Sequence, residues 1–374
     1  MTTIATSPRG AQVQAWAMIA VLITGAGLGI AALARPGPQQ RLAETMNLPA
    51  FLAGRTAGEV NFAMAHDLPI GGTLQMLGGV LRYRLFDSGG PQVTVGCDNW
   101  LYLTEEMRPW PDADAAMQAR ADALHRIAAA LTAKGIALEV ILVPDKARIE
   151  TRGTCGAPYS AQARARYAGF LGRLHGLPVV DLNAVYAVDP SATYYRTDTH
   201  WNQVGAALAA RTAAAALTAP ITRDANFMTT AAPLADRAGD LLRLMSLDNV
   251  PDVTPRLRPL PDREAPETTT RTDAPADAGG LLDDAPVPEV VLLGSSYSVN
   301  ANFHGRLEEA LRAPVGQFAQ AGGAFWGSAR DYFRSPAFRE TPPKLVIWEI
   351  PERVVGQPIG AEEAAFLTEW TPPP

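Results

Sequence analysis

Apolar and polar positions along the 374-residue chain fall into three regimes. Residues 15–34, AWAMIAVLITGAGLGIAALA, run for twenty positions without a charge. A helix of that length rises about 30 Å, the thickness of a bilayer core. Arg9 precedes the run, and Arg35, Pro36 and Pro38 close it. Beyond it, residues 35–54 read as a linker running into a short helix. Residues 71–86 place Leu74, Leu77, Val80, Leu81 and Leu85 near helical spacing. Val93 and Val95 suggest a short strand, and GCDNWLYL at 96–103 reads as a turn feeding another.

From Asp112 onward the pattern alternates between the two periods. Helices are expected at 112–133, 161–174, 203–217, 307–312 and 327–333, and a short one at 240–245. Between them lie the apolar runs LEVILV at 138–143, EVVLL at 289–293 and LVIWEI at 345–350, with shorter strands at 179–182 and 315–318. Continuous β-branched runs of this kind suit strands buried on both faces of a parallel sheet. Strands alternating with helices predict an α/β sandwich around a mostly parallel sheet. One stretch, 247–288, breaks the alternation with prolines, charges and the run Thr268-Thr269-Thr270, and is expected to be a long mobile loop. Residues 356–374 read as a C-terminal tail.

Composition narrows the class. A mean hydropathy of -0.01 excludes a multi-span membrane protein. Lys+Arg 32 against Asp+Glu 38 gives a net charge of -6 without a basic cluster, which argues against nucleic acid as a partner. The length of the apolar run favours an uncleaved anchor over a signal peptide, although Ala-Leu-Ala at 32–34 leaves cleavage open. The short leading segment, 1–14, is expected in the cytoplasm and the remainder outside it. There Cys97 and Cys155 would either pair or remain two separate buried thiols, and spacing does not choose between these.

Two short motifs carry chemistry. GSSYS, Gly294 to Ser298, follows EVVLL directly, and ligands of open α/β sheets sit at the carboxyl ends of strands. Ser296 on that turn is a candidate nucleophile, with helix capping as the structural alternative. TDTHWN at 197–202 precedes a helix, and His200 is the one histidine with an aspartate two residues before it. Asp198 on the imidazole Nδ1 would leave Nε2 to take the serine proton. His304 is the rival base but has no acidic residue beside it, and His66, His125 and His175 look like surface residues. No second histidine or cysteine stands at metal-ligand spacing, so no metal is expected.

GCDNWLYL, VPDKARI at 143–149, DTHW at 198–201, GSSYS and WEIPER at 348–353 occur in that order. Together they resemble the SGNH hydrolase-like domain of the AlgJ/AlgX alginate O-acetyltransferase family, across roughly residues 55–355. The resemblance implies a three-layer α/β/α fold behind one transmembrane helix, held to the inner membrane with its catalytic domain in the periplasm. It implies transfer of acetyl groups to an exopolysaccharide, alginate-like or cellulose-like. No cofactor is implied, because a membrane-bound O-acyltransferase partner delivers the acetyl group. Ser296 then matches the nucleophile, His200 the base and Asp198 its orienting carboxylate. Two departures stand out. Ser295 occupies the position of the Asp in the Gly-Asp-Ser of ordinary SGNH esterases, and their Gly-x-Asn-Asp block is missing. The oxyanion donors are therefore assigned to the Ser296 N–H with Gly322 or Gly323, and Ser295 and Tyr297 are placed at the pocket. A carbohydrate acetylesterase and a non-catalytic glycan-binding subunit are the alternatives.

Trp201, Trp326 and Arg353 are candidates for substrate contact, with core packing the competing use of both tryptophans. Glu349 with Arg353 would otherwise form an ion pair closing a strand end. Lys146 and Arg148 could meet an anionic polymer but read better as part of a solvated loop.

Overall fold

The computed structural model describes residues 8–189, 191–251, 257–273 and 287–369. Parts of three expected segments lie outside these: 1–7 of the leading tail, 252–256 and 274–286 of the Pro-rich stretch, and 370–374 at the C-terminus. The chain divides into two compact units, residues 1–81 and 82–374.

In the first unit the helix Pro8–Leu33 runs for 26 residues, and its portion Gly10–Leu33 is long and apolar enough to cross a membrane. The expected linker is instead helical, with Pro36–Thr45 and Leu48–Leu52 each opened by a proline in the first turn, where a missing N–H costs nothing. Asn47 caps the second of these through the Ala50 N–H at 3.0 Å. The helix Arg55–His66 also belongs here rather than to a domain beginning at residue 55, because Arg41 pairs with Glu59 at 3.1 Å and Asp67 at 2.7 Å. The helix Gly71–Phe86 matches the expected span and crosses the boundary between the units at residues 81 and 82.

The second unit is built on five parallel strands: β1 Ala137–Val143, β2 Val179–Asp181, β3 Val290–Leu293, β4 Val315–Gln317 and β5 Leu345–Pro351. Their order across the sheet is β4-β3-β5-β1-β2, so the last strand enters between the two halves of the chain. Alternate side chains feed two cores, as the pleat requires. Val140, Leu142, Leu293, Val346, Trp348 and Ile350 face the helices Ala113–Ala133, Ala161–Arg173 and Gly327–Arg334. Ile141, Val143, Leu292, Leu345 and Ile347 face the helices Gln203–Ala216 and Phe303–Leu311. The three-layer α/β/α architecture is the expected one.

Two expectations are corrected. The described part of 247–288 is not a plain loop. Glu267–Arg271 pairs antiparallel with Phe227–Ala231, and Asp262–Glu264 pairs with Ala235–Arg237. The β-branched threonine run suits a strand even though it lacks an apolar period. The expected tail 356–374 carries the helix Ala361–Glu369, whose Phe366 and Leu367 are buried in the core. Its Glu363 meets the buried Arg120 in a two-point ion pair at 2.7 and 2.8 Å.

Cys97 and Cys155 form a disulfide with Cα atoms 5.8 Å apart, so the paired reading holds. It ties the hairpin Val93–Val95/Leu101–Leu103 to the segment after β1. With a sequence separation of 58, chain entropy assigns it about 4 kcal/mol. A Cys97→Ser, Cys155→Ser protein is therefore expected to melt well below the native one, and adding reductant should lower the native midpoint alone.

Glu139, on β1, is buried, and its Oε1 has no hydrogen-bond partner. Burial lifts its carboxyl to about 7 against the pull of Arg223. The folded value lies above the unfolded one, so this group favours folding below its unfolded value, and that contribution is lost as pH rises through about 7. The swing is on the order of 3 kcal/mol at 1.36 kcal/mol per unit. Glu139→Gln should raise the melting midpoint at pH 8 and change it little near pH 4. An equal effect at both would show that titration of Glu139 is not the cause.

Candidate active site

The carboxyl ends of β3, β5 and β1 converge where the strand order reverses, which is where ligands of open α/β sheets bind. The GSSYS turn leaves β3 here. Ser295 is extended, at φ -102°, and its hydroxyl accepts the Tyr297 N–H at 3.2 Å, capping the short helix Ser296–Val299. Glu349 on β5 holds the turn from below. Its carboxylate accepts the Ser295 N–H at 2.7 Å, the Ser295 hydroxyl at 2.9 Å and the Ser298 hydroxyl at 3.0 Å. Burial raises the Glu349 carboxyl, and these hydrogen bonds oppose the rise. A Cβ on Gly294 would overlap Ser298 Oγ and Glu349 Oε2, so only glycine lets the turn approach this closely.

The second wall is the loop 193–202, pinned from several sides. Asp262 accepts the Arg196 N–H at 2.8 Å and the Thr197 hydroxyl at 2.6 Å. Lys146 is fully buried, and its Nζ donates to the carbonyls of Leu101, Arg196 and Asp198 at 2.5, 2.9 and 2.9 Å. Burial lowers the Lys146 ammonium to about 8, with Glu106, Asp262, Asp198 and Asp240 opposing. Asn202 ends the loop by capping the helix Gln203–Ala216 through the Gly205 N–H at 3.0 Å.

Between these walls Asp198, His200 and Ser296 meet. His200 Nδ1 lies 2.6 Å from Asp198 Oδ1, and its Nε2 lies 2.7 Å from Ser296 Oγ. A carboxylate can only accept, so Nδ1 carries the proton and Nε2 presents a lone pair to the serine. The other Asp198 oxygen accepts Arg237 at 2.8 Å and the Asp240 N–H at 3.1 Å. Burial pushes the Asp198 carboxyl up, but the hydrogen bonds from His200 and the positive charge of Arg237 outweigh it and hold it well below the usual carboxylate range. Asp240 accepts the Thr199 N–H at 2.7 Å and hydroxyl at 2.6 Å, and its Oδ2 stands 3.6 Å from His200 Nδ1. Asp198, His200 and Asp240 offer ligand atoms within 4.8 Å of one another, but Arg237 already supplies the positive charge there.

The remaining candidates separate. Tyr297 is buried behind the site: its ring meets His200 edge-on with centroids 5.0 Å apart, and its hydroxyl donates to the Thr199 carbonyl at 2.9 Å. The Ser295 N–H is spent on Glu349 and the Gly323 N–H on the Gln320 carbonyl at 3.0 Å, so neither is an oxyanion donor. The Ser296 N–H opens its helix, where no intrahelical acceptor exists. Gly322, at φ 77°, lies on a loop tied to the turn by the Gln320 N–H and the Gly294 carbonyl.

Trp201 is not a sugar platform, since it is completely buried against Phe303 and Tyr297. Trp326 packs on Phe366 and carries Arg330 over its ring, 4.4 Å from the centroid. Arg353 does not pair with Glu349; its guanidinium lies over the Tyr297 ring at 5.0 Å and reaches Glu106 at 3.4 Å. Neither Lys146 nor Arg148 sits on a solvated loop, for Arg148 grips Glu352 at 2.6 and 2.8 Å. His304 faces the Val315 carbonyl at 2.7 Å. Sequence spacing does not mark Arg237 or Asp240, because folding brings them to Asp198.

A family model for the SGNH hydrolase-like domain of the acetyltransferase AlgX matches residues 93–352. The chain is 30% identical over 349 residues to the probable alginate O-acetylase AlgJ of Pseudomonas aeruginosa, covering 87% of each protein. Its structure aligns with the O-acetyltransferase domain of Pseudomonas putida AlgJ at a TM-score of 0.65 and 28% identity, over 75% of this chain and all of that one. Pseudomonas aeruginosa AlgX shares the fold at a TM-score of 0.54 and 21% identity, over 74% of this chain and 66% of that one.

Proposed function

From the premise that this chain belongs to the SGNH hydrolase-like acetyltransferase family of AlgJ and AlgX, we propose that it transfers acetyl groups to hydroxyls of an alginate-like exopolysaccharide. The observation that carries the mechanism is the continuous line Asp198–His200–Ser296, with both links at hydrogen-bond distance. His200 Nε2 takes the Ser296 proton as Oγ attacks the acetyl carbonyl. The Ser296 N–H, with Gly322 as second donor, faces the developing oxyanion. Collapse expels the donor's leaving group, which receives the proton from His200, and leaves an acetyl ester on Ser296. A sugar hydroxyl then gives its proton to His200 and attacks that ester; the bond to Ser296 Oγ breaks, His200 returns the proton to that oxygen, and the sugar departs acetylated. Asp198 keeps the imidazole oriented and stabilises its charged form in both halves.

The chain needs no resident cofactor in this reading, because a membrane-bound O-acyltransferase partner brings the acetyl group across the membrane. The apolar helix Pro8–Leu33 fits a membrane anchor, with the catalytic unit in the periplasm. The Cys97–Cys155 disulfide supports that placement, since such bonds persist in oxidising compartments.

The test supplies the protein with a chromogenic acetyl ester and oligomers of mannuronate, and follows the products by mass spectrometry. Acetylated oligomer is the expected product. Free acetate alone, at a rate no sugar changes, would replace transfer by esterase chemistry.

A further inference from the structure

Between the apolar helix and the catalytic unit, the chain exposes leucines where a soluble surface would carry polar residues. On the helix Gly71–Phe86, Leu74, Leu77, Leu81 and Leu85 recur at steps of three and four, which places them on one stripe. They are 47%, 50%, 56% and 68% exposed. Leu48, Phe51 and Leu52 on the preceding short helix are also largely exposed. A contiguous apolar stripe left open marks a contact surface.

Two further observations identify what covers it. The first is continuity, because these helices begin at Pro36, three residues beyond the end of the helix Pro8–Leu33. The second is charge. Residues 35–86 hold five arginines and three carboxylates, whereas the whole chain has a net charge of -6. Arg41 alone engages two of those carboxylates, Glu59 and Asp67. Arg35, Arg55, Arg82 and Arg84 then stand against Glu44. Two of these arginines, Arg82 and Arg84, lie on the leucine-bearing helix itself, and leucines with arginines on one helix suit the interface of an anionic bilayer.

We infer that the helix Gly71–Phe86 lies on the membrane surface, with its leucine stripe at the acyl-chain boundary and its arginines among anionic headgroups. This rests on the reading of Pro8–Leu33 as an anchor.

The full chain, reconstituted in vesicles of phosphatidylethanolamine and phosphatidylglycerol, tests it. Cys97 and Cys155 are consumed in their disulfide, so an environment-sensitive fluorophore can be placed on Leu77→Cys or, off the stripe, on Thr73→Cys. The Leu77 probe is expected to emit to the blue, to be quenched by doxyl-labelled lipid and to lose most of its quenching by aqueous iodide, while the Thr73 probe stays open to iodide. A chain that floats with the vesicles but leaves the Leu77 probe open to iodide overturns the inference and keeps the anchor. A Leu77 probe shielded only when a second membrane protein is co-reconstituted overturns it in favour of a protein partner. A chain that does not float with vesicles overturns the anchor, and the inference with it.

Discussion

Ser296→Ala protein is expected to lose acetyl transfer by about 10⁴-fold or more while keeping its melting midpoint. The hydroxyl is half-buried and faces His200 Nε2, so its removal costs the fold one hydrogen bond. Catalysis has no substitute for it, because no other hydroxyl of the turn is available. Ser295 and Ser298 both donate to Glu349, which holds their oxygens below the turn. Incubation with the acetyl ester alone should add one acetyl group to the native chain, on the peptide containing Ser296, and none to the variant. His200→Ala should likewise abolish the adduct. If the Ser296→Ala chain still transfers acetyl to sugar at the native rate, the nucleophile lies elsewhere and the mechanism fails. If it loses transfer together with its fold, the turn is structural. The Glu349 hydrogen bonds, which do not involve Ser296, argue against that outcome.

The parts of this site that were legible in sequence are those in which chemistry and chain order coincide. EVVLL followed by GSSYS announces a buried strand delivering a serine to its carboxyl end. Asp198 and His200 are two residues apart, so the His200 N–H as well as Nδ1 reaches the same carboxylate oxygen. The strands of the sheet were legible because continuous apolar runs have few other uses in a soluble fold. What stayed hidden depends on distant segments. Lys146 looks like a surface charge until the hairpin at Leu101 and the loop at Arg196 and Asp198 close over it with three carbonyls. Trp201 follows the catalytic histidine directly, yet the bridge between Tyr194 and Trp201 turns it inward. The helix Ala361–Glu369 carries the acidic pair Glu362-Glu363 in its first turn, and Phe366 and Leu367 are its only large apolar residues. Its burial becomes intelligible only with Arg120, whose guanidinium needs a carboxylate once it is enclosed.

The sharpest division of labour within the site concerns Asp198, whose two oxygens have different partners. Asp198→Asn is expected to lower turnover by about 10⁴-fold at neutral pH while retaining the acceptor site. An amide in that position has one acceptor and one donor. If its oxygen stays on Arg237, its NH₂ faces His200 Nδ1, which must then accept. The ring proton moves to Nε2, and Ser296 has no base. If the amide turns over, its NH₂ faces the Arg237 guanidinium, donor against donor, at a separation now 2.8 Å. Both arrangements cost the native tautomer or a buried hydrogen bond, so the loss should appear in kcat rather than KM. Arg237→Met separates orientation from charge. It leaves the 2.6 Å bond to His200 in place but removes one of the forces holding Asp198 down. Asp198 has a folded value below its unfolded one, so its contribution to stability is present at neutral pH and lost as pH falls through the folded value. Without Arg237 that loss begins at higher pH, and the acid limbs of both the melting curve and the rate profile should shift upward together. A rate limb that stays fixed while the melting limb moves would make Arg237 a partner of the fold alone, with no part in tuning the triad.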